Sequence, residues 1–239
     1  MESHYRTRVR SKDLLSFHIL IKETDLWVSA ERDLTKETEE IVFNLRFQIE
    51  SYIQSHADFL TTLEPYPIDP FAPDIIQEMI HRTRDVGIGP MASVAGAIAQ
   101  ETVKELLQFS RQVVVENGGD IYLTMNHPAR VAIHAGQSPL SQKLGLLIPP
   151  DRMPLGICTS SGKIGHSLSM GKADAVCLVS PSAYLADATA TALGNQVKGP
   201  GDLEAAIAWA RNIEGIHGGV VLIKDKMATW GNLELTILD

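Results

Sequence analysis

Two stretches of small and hydroxyl residues carry the side chains best suited to chemistry in this chain. The first is Gly156-Ile-Cys-Thr-Ser-Ser-Gly-Lys-Ile-Gly-His166, and the second is Ala186-Asp-Ala-Thr-Ala-Thr-Ala-Leu193. Gly156, Gly162 and Gly165 permit close backbone approach. Thr159, Ser160 and Ser161 offer hydroxyls and backbone N–H groups to an anion. Asp187 and Thr191 stand four residues apart in an Ala-rich helix, so both oxygens reach one face. A carboxylate and a hydroxyl placed in that way suit a hard cation such as Mg2+. The alternative is packing: Asp187 caps a tight Ala helix, and the Thr-Ser segment is an ordinary turn. Spacing alone leaves both readings open.

Glu116-Asn-Gly-Gly-Asp120 is the next constellation. Asn-Gly marks a hairpin turn, which accounts for Gly118 and Gly119. Asp120 is either a site carboxylate or a surface turn residue. Gly87-Ile-Gly-Pro-Met-Ala-Ser-Val-Ala-Gly96 leads into a helix, where free N–H groups suit a phosphate. It is neither a dinucleotide fingerprint nor a P-loop, and a tight helix entry explains it equally well. His166 is a structural residue of a Gly turn or a group that moves a proton. Ser160 or Ser161 with His166 as base is conceivable, but no G-x-S-x-G elbow or Ser-His-Asp spacing supports it. The remaining histidines lack metal-ligand spacing. Asp174 is placed to cap or orient a loop.

Elements must hold these groups in place, and 239 residues with 44% hydrophobic content provide an ample core. The net charge of −8 and the absence of a basic stripe argue against nucleic acid. The one basic cluster, Arg6, Arg8, Arg10 and Lys12, reads as a solvated strand face. Two cysteines exclude a disulfide framework; Cys158 and Cys177 read as packed thiols. No signal peptide or membrane-spanning run is visible, so the expectation is a cytoplasmic protein with no membrane partner.

The hydrophobic pattern predicts strands over 14–22 and 26–30, joined by Glu23-Thr24-Asp25. A helix follows from Thr35 to about Ser55, with Ile41, Leu45, Ile49 and Ile53 on its apolar side. An irregular, proline-rich connection covers 64–73, and Asp74 caps a helix to about Asp85. Another helix runs from about Ala92 to Phe109, with Val94, Ile98, Val103, Leu106 and Leu107 inward. Strands are predicted over 113–116, 121–125, 131–135, 144–148 and 173–180. Helices at about 183–194 and 203–213 precede a C-terminal meander over 219–224, 227–230 and 233–238. Strands and helices come in groups, which indicates an α+β fold with largely antiparallel sheets. Each half opens with strands and carries a helix pair, which allows an internal duplication.

Together these motifs resemble the UPF0280 (DUF375) family of the ApbE-like superfamily. The resemblance rests on Arg8-Val-Arg-Ser-Lys-Asp-Leu14, Lys22-Glu-Thr-Asp-Leu-Trp27, Gly89-Pro-Met-Ala-Ser-Val-Ala-Gly-Ala-Ile-Ala99, Glu116-Asn-Gly-Gly-Asp-Ile121 and the two opening stretches. It implies one ApbE-like domain over 1–239, or two intimately packed subdomains. ApbE-like enzymes transfer FMN from FAD to a protein Thr or Ser, using Mg2+. By that likeness Asp187 and Thr191 fall on the metal positions. Gly118, Gly119, Thr159, Ser160, Ser161 and Gly162 surround the ligand, and Asp120 and His166 are the catalytic candidates. Two departures weigh against FAD or FMN. The Asp-Pro-x-Thr-Gly run after the His is absent, and Gln100-Glu101 stands where the enzymes have Lys-Gly, so that Glu101 would oppose a pyrophosphate. The expected ligand is nucleotide-like or phosphorylated. The family further implies a role in anaerobic homocysteine formation, with sulfur-pathway protein partners. The competing readings are an FMN transferase and a non-catalytic accessory protein.

Overall fold

The computed structural model describes residues 14–136, 138–141, 143–161 and 171–238. The basic cluster 6–12, Gly162, Gly165 and His166 therefore lie outside the described residues. The strands are β1 (Leu15–Ile21), β2 (Thr24–Ala30), β3 (Val113–Asn117), β4 (Asp120–Thr124), β5 (Ala129–Ala132), β6 (Leu144–Ile148), β7 (Leu155–Ser160), β8 (Ala175–Ser180), β9 (Gly218–Ile223), β10 (Lys226–Gly231) and β11 (Glu234–Ile237). The helices are α1 (Thr35–Ser55), α2 (Asp58–Thr61), α3 (Asp74–Arg84), α4 (Val94–Leu106), α5 (Ala183–Gln196) and α6 (Leu203–Ala210).

An eight-stranded sheet in the order β1-β2-β3-β4-β7-β8-β9-β10 forms the centre, and a three-stranded sheet β11-β6-β5 forms a second layer. Neighbouring strands pair antiparallel in both sheets, so the α+β expectation holds. Side chains alternate across the large sheet with period two. Val113, Val115, Tyr122, Cys158, Val176, Leu178 and Val221 face the layer built by α1, α3, α4 and α5. Val114, Leu123, Ile157, Cys177, Val179, Val220 and Leu222 face the small sheet. The two cysteines thus lie on opposite faces, which rules out a disulfide between them.

Several expectations need correction. The stripe that α1 buries is Thr38, Val42, Leu45, Ile49 and Tyr52, while Ile41 and Ile53 are only partly buried. A strict period of four drifts around a helix of 3.6 residues per turn, so its ends leave the core face. Asp74 begins α3 without a side-chain cap. Leu107 is exposed beyond α4. The strand expected over 131–135 runs over β5 instead. The C-terminal strands are not a simple meander, because β11 leaves the large sheet and pairs with β6. The largest correction is β7. Thr159 and Ser160, expected in a loop with Ser161 and Gly162, end a central strand between β4 and β8 that the hydrophobic pattern did not predict.

Candidate functional site

The Gly118-Gly119 turn joins β3 to β4, with Asn117 opposite Asp120 across it. Both glycines have positive φ, 63° and 110°, as a two-residue hairpin of this hand requires. The turn aims Asn117 and Asp120 at the helix layer. Asn117 Nδ2 donates to the Ala95 carbonyl at 3.0 Å, which ties the turn to the start of α4. Asp120 Oδ1 accepts the Thr159 backbone N–H at 3.2 Å. Glu116 projects to the other face, where its Oε1 accepts the Gly119 N–H at 2.7 Å.

Asp187 enters the same place from α5. That helix is buried from Ala183 through Gly194. It lies against Gly156 of β7 and Gly96 of α4, where a Cβ would come within 2.7 Å of Ala183 Cα and 2.4 Å of Ala183 O respectively. The small residues of this region are therefore the condition for the helix to approach the sheet. Asp187 Oδ2 accepts the Gly96 N–H at 2.9 Å, and the Ala95 N–H also bonds to this carboxylate. The helix-entry amides that suited a phosphate in sequence thus receive the Asp187 carboxylate, which caps α4 from a neighbouring helix.

The electrostatics follow from burial. Desolvation pushes Asp187 up to about 7, against the two backbone N–H bonds that favour its ionised form. Asp120 is driven well above the usual carboxylate range, first by burial and then by the charge of Asp187. The Cys158 thiol and the Thr159 N–H act in the opposite sense on Asp120. Burial, and then the two carboxylates, push the Cys158 thiol up, so it remains a protonated packing group beside the Ala183 carbonyl. A thiol held in this way is no nucleophile at neutral pH.

The predicted site residues divide into groups. Asp120, Asp187, Gly118, Gly119 and the backbone of Thr159 converge. Thr191 is buried one turn beyond Asp187 on α5. Ser160 and Ser161 close the end of β7, and Ser160 shares the Cys158 face by strand alternation. The Thr159 side chain departs from expectation. It faces the small-sheet side, where its hydroxyl bonds the Cys177 thiol, so it brings only its N–H to Asp120. Gly162 and His166 lie outside the described residues. Ala95, Gly96, Asn117, Glu116 and Cys158 were not assigned to the site from sequence. Glu116 and Asn117 had a signal in the Asn-Gly motif to which they belong, and Ala95 and Gly96 had one in the glycine-containing helix entry, although nothing in sequence joined that entry to Asp187.

Gln100 and Glu101 also have structural roles. Buried Gln100 accepts the Ala183 N–H at 2.7 Å, while the Ser182 hydroxyl accepts from Leu185 N, and together they cap α5. Glu101 receives the Tyr184 hydroxyl at 3.0 Å and the Lys104 ammonium at 2.8 Å. These two donors offset part of its charge. Gln100→Ala leaves a buried N–H without its acceptor and is expected to cost about 1–3 kcal/mol. Gln100→Glu keeps an acceptor and is expected to cost less. Urea unfolding of the two variants checks the order.

The sequence family follows from comparison with known proteins. The family described as AbpE bacteria matches residues 6–215. A UPF0280 protein of Methanocella arvoryzae is 40% identical over 214 residues, covering 89% of this chain and 87% of the relative. A UPF0280 protein of Methanosarcina acetivorans is 36% identical, covering 90% and 86%. The chain belongs to the UPF0280 family. The Pseudomonas stutzeri flavinyl transferase ApbE in its apo form superposes with a TM-score of 0.62 at 16% identity, covering 91% of this chain and 94% of the transferase. The Vibrio cholerae flavin transferase ApbE gives 0.58 at 14%, covering 91% and 97%. At these identities the UPF0280 chain shares their fold. Among its described residues no helix is long and apolar enough to cross a membrane.

Proposed function

We propose that this UPF0280 protein binds a phosphorylated, nucleotide-like molecule together with Mg2+. The observation that carries the reading is the pairing of Asp120 and Asp187. The fold brings two carboxylates from distant segments into one buried place, where burial opposes the ionisation of both and the charge of Asp187 further opposes that of Asp120. A divalent cation offsets that cost. Among the described residues no group of three or more His, Cys, Asp or Glu side chains is arranged to hold a metal. Mg2+ does not need such a group, because it is commonly held by one or two carboxylates with phosphate oxygens and water as further ligands. Asp187 and Thr191 would hold the ion beside Asp120. The Gly118-Gly119 turn, Ser160 and Ser161 would flank the anionic group. The cation would supply charge neutralisation for the phosphate.

The second reading, FMN transfer from FAD, is supported by the fold shared with the flavin transferases. One experiment addresses both. Isothermal titration of ADP, FMN and FAD, with and without Mg2+, is expected to show Mg2+-dependent binding that weakens at least about tenfold in Asp187→Ala, a loss of about 1.4 kcal/mol. Binding indifferent to both Mg2+ and the substitution overturns the proposal. Mass spectrometry of a Thr-containing acceptor domain after incubation with FAD and Mg2+ decides whether FMN is transferred.

A further inference from the structure

We infer that this protein forms a symmetric dimer with a second copy of itself through the outer edge of β1 and the adjoining flank of α1. β1 is the end strand of the large sheet, and among the described residues nothing pairs with its outer side. Its sequence, Leu-Ser-Phe-His-Ile-Leu-Ile, holds no proline, lysine or glutamate. Those residues are the usual means by which an edge strand resists pairing with another chain. The opposite edge differs, because β10 begins with a lysine and ends in glycine.

The surroundings of β1 combine ion pairs, His18 with Asp25 at 2.6 Å among them, with large exposed apolar side chains. After β2 the chain turns into α1, which runs back along β1. Arg46 reaches the Thr24 hydroxyl at 2.6 Å and Lys22 meets Glu50 at 2.6 Å, which fixes the middle of α1 over the β1–β2 turn. Phe43 and Phe47, one turn apart on that flank, are 61% and 63% exposed. Leu15 and Leu20, on the two faces of β1, are 57% and 64% exposed. Two exposed leucines of the edge strand and two exposed phenylalanines of α1 thus lie beside the ion pairs of His18 and Lys22.

The area favours a second copy. Each aromatic ring can bury about 150–250 Å2, so the exposed parts of the two rings offer roughly 200 Å2 per chain. Adding the two leucines and the edge of a seven-residue strand brings two copies to about 1,200 Å2, the lower end of stable interfaces. Antiparallel pairing of β1 about His18 is self-complementary, because His18 meets His18 on the axis and Leu15 of each copy meets Ile21 of the other. It also places the Phe43 and Phe47 flanks of both copies beside the junction.

The test is sedimentation velocity on the full chain over a range of concentrations. A dimer is expected, and Phe43→Glu with Phe47→Glu is expected to raise the dimer Kd about a hundredfold or more with unchanged far-UV circular dichroism. A cysteine introduced as His18→Cys is expected to form a covalent dimer under mild oxidation, because it lies at the two-fold axis. The same change at Thr229→Cys, on the other edge strand, is expected not to. A wild-type chain that stays monomeric at high concentration overturns the inference. So does a dimer that survives the paired glutamates, or one that cross-links through Thr229→Cys and not through His18→Cys.

Discussion

Asp187→Asn is expected to stabilise the ligand-free protein at pH 8 and leave its stability at pH 4 nearly unchanged. Burial raises the folded-state pKa of Asp187 from 3.8 to about 7. The folded state therefore binds the proton more tightly than the unfolded state. The stability linked to this group is fully present below about pH 4 and is lost as the pH rises through about 7. The interval is about three pKa units, and at 1.36 kcal/mol per unit the cost approaches about 4 kcal/mol as an upper bound. Asparagine resembles the protonated acid in shape. Its carbonyl oxygen can still accept the Gly96 N–H, so that bond of the α4 cap survives. Thermal unfolding from pH 4 to pH 8 should show a wild-type Tm falling across this window and a flatter profile for the variant. Saturating Mg2+ is expected to restore the wild-type Tm at pH 8 without helping the variant, since a cation that binds only the folded state stabilises it by mass action. Parallel profiles for the two proteins would show that the carboxylate costs nothing in the fold. Asp120→Asn is expected to act in the same direction. The effects of the two substitutions should not add, because each carboxylate sits in the field of the other.

The sequence carried the hairpin of this site openly and hid the strand beside it. Asn117-Gly118-Gly119 is a local signal, and local turn chemistry survived folding unchanged. α1 was legible for the same reason, being long and periodic, although its register slipped because Ile41 and Ile53 imitate a core stripe. β7 was hidden by a long-range requirement. Gly156 must be small because Ala183 lies within 2.7 Å of where its Cβ would stand. Cys158 and Thr159 are divided between the two faces of the sheet. Only Ile157 and Thr159 of the six residues of β7 are β-branched, so the pattern that marks a strand in sequence is weak here. Asp120 and Asp187 could each be singled out by motif. Their meeting depends on β3, β4, β7 and α5 packing together, which no local pattern encodes. The same holds for the amides of Ala95 and Gly96. Their helix entry pointed to an anion, and the anion that the fold provides is a side chain of the protein itself.

Gly96→Ala is expected to destabilise the protein by about 2 kcal/mol or more and to abolish any Mg2+-dependent ligand binding. In an exposed helix the change from Gly to Ala is worth up to about 1 kcal/mol of stabilisation. Position 96 reverses that sign. A Cβ here would stand 2.4 Å from the Ala183 carbonyl oxygen, 2.9 Å from its carbon and 3.0 Å from Asp187 Cβ. The first two are backbone atoms, so no rotamer change relieves the contact, and α4 and α5 must separate. Overpacking of this kind typically costs about 1–3 kcal/mol, and more where backbone must move. Ala183→Gly cannot rescue the variant, because the clash is with the carbonyl and not with a side chain. Separation also breaks the Gly96 N–H bond to Asp187 and draws Gln100 away from the Ala183 N–H, so both helix starts lose a cap together. The control is Gly199→Ala, where nothing lies within 4 Å of the added carbon. That substitution should leave both the urea midpoint and ligand binding at wild-type values. A Gly96→Ala protein as stable as the wild type would show that the two helices part without cost, and the close approach of α4 to α5 would then not be what places Asp187.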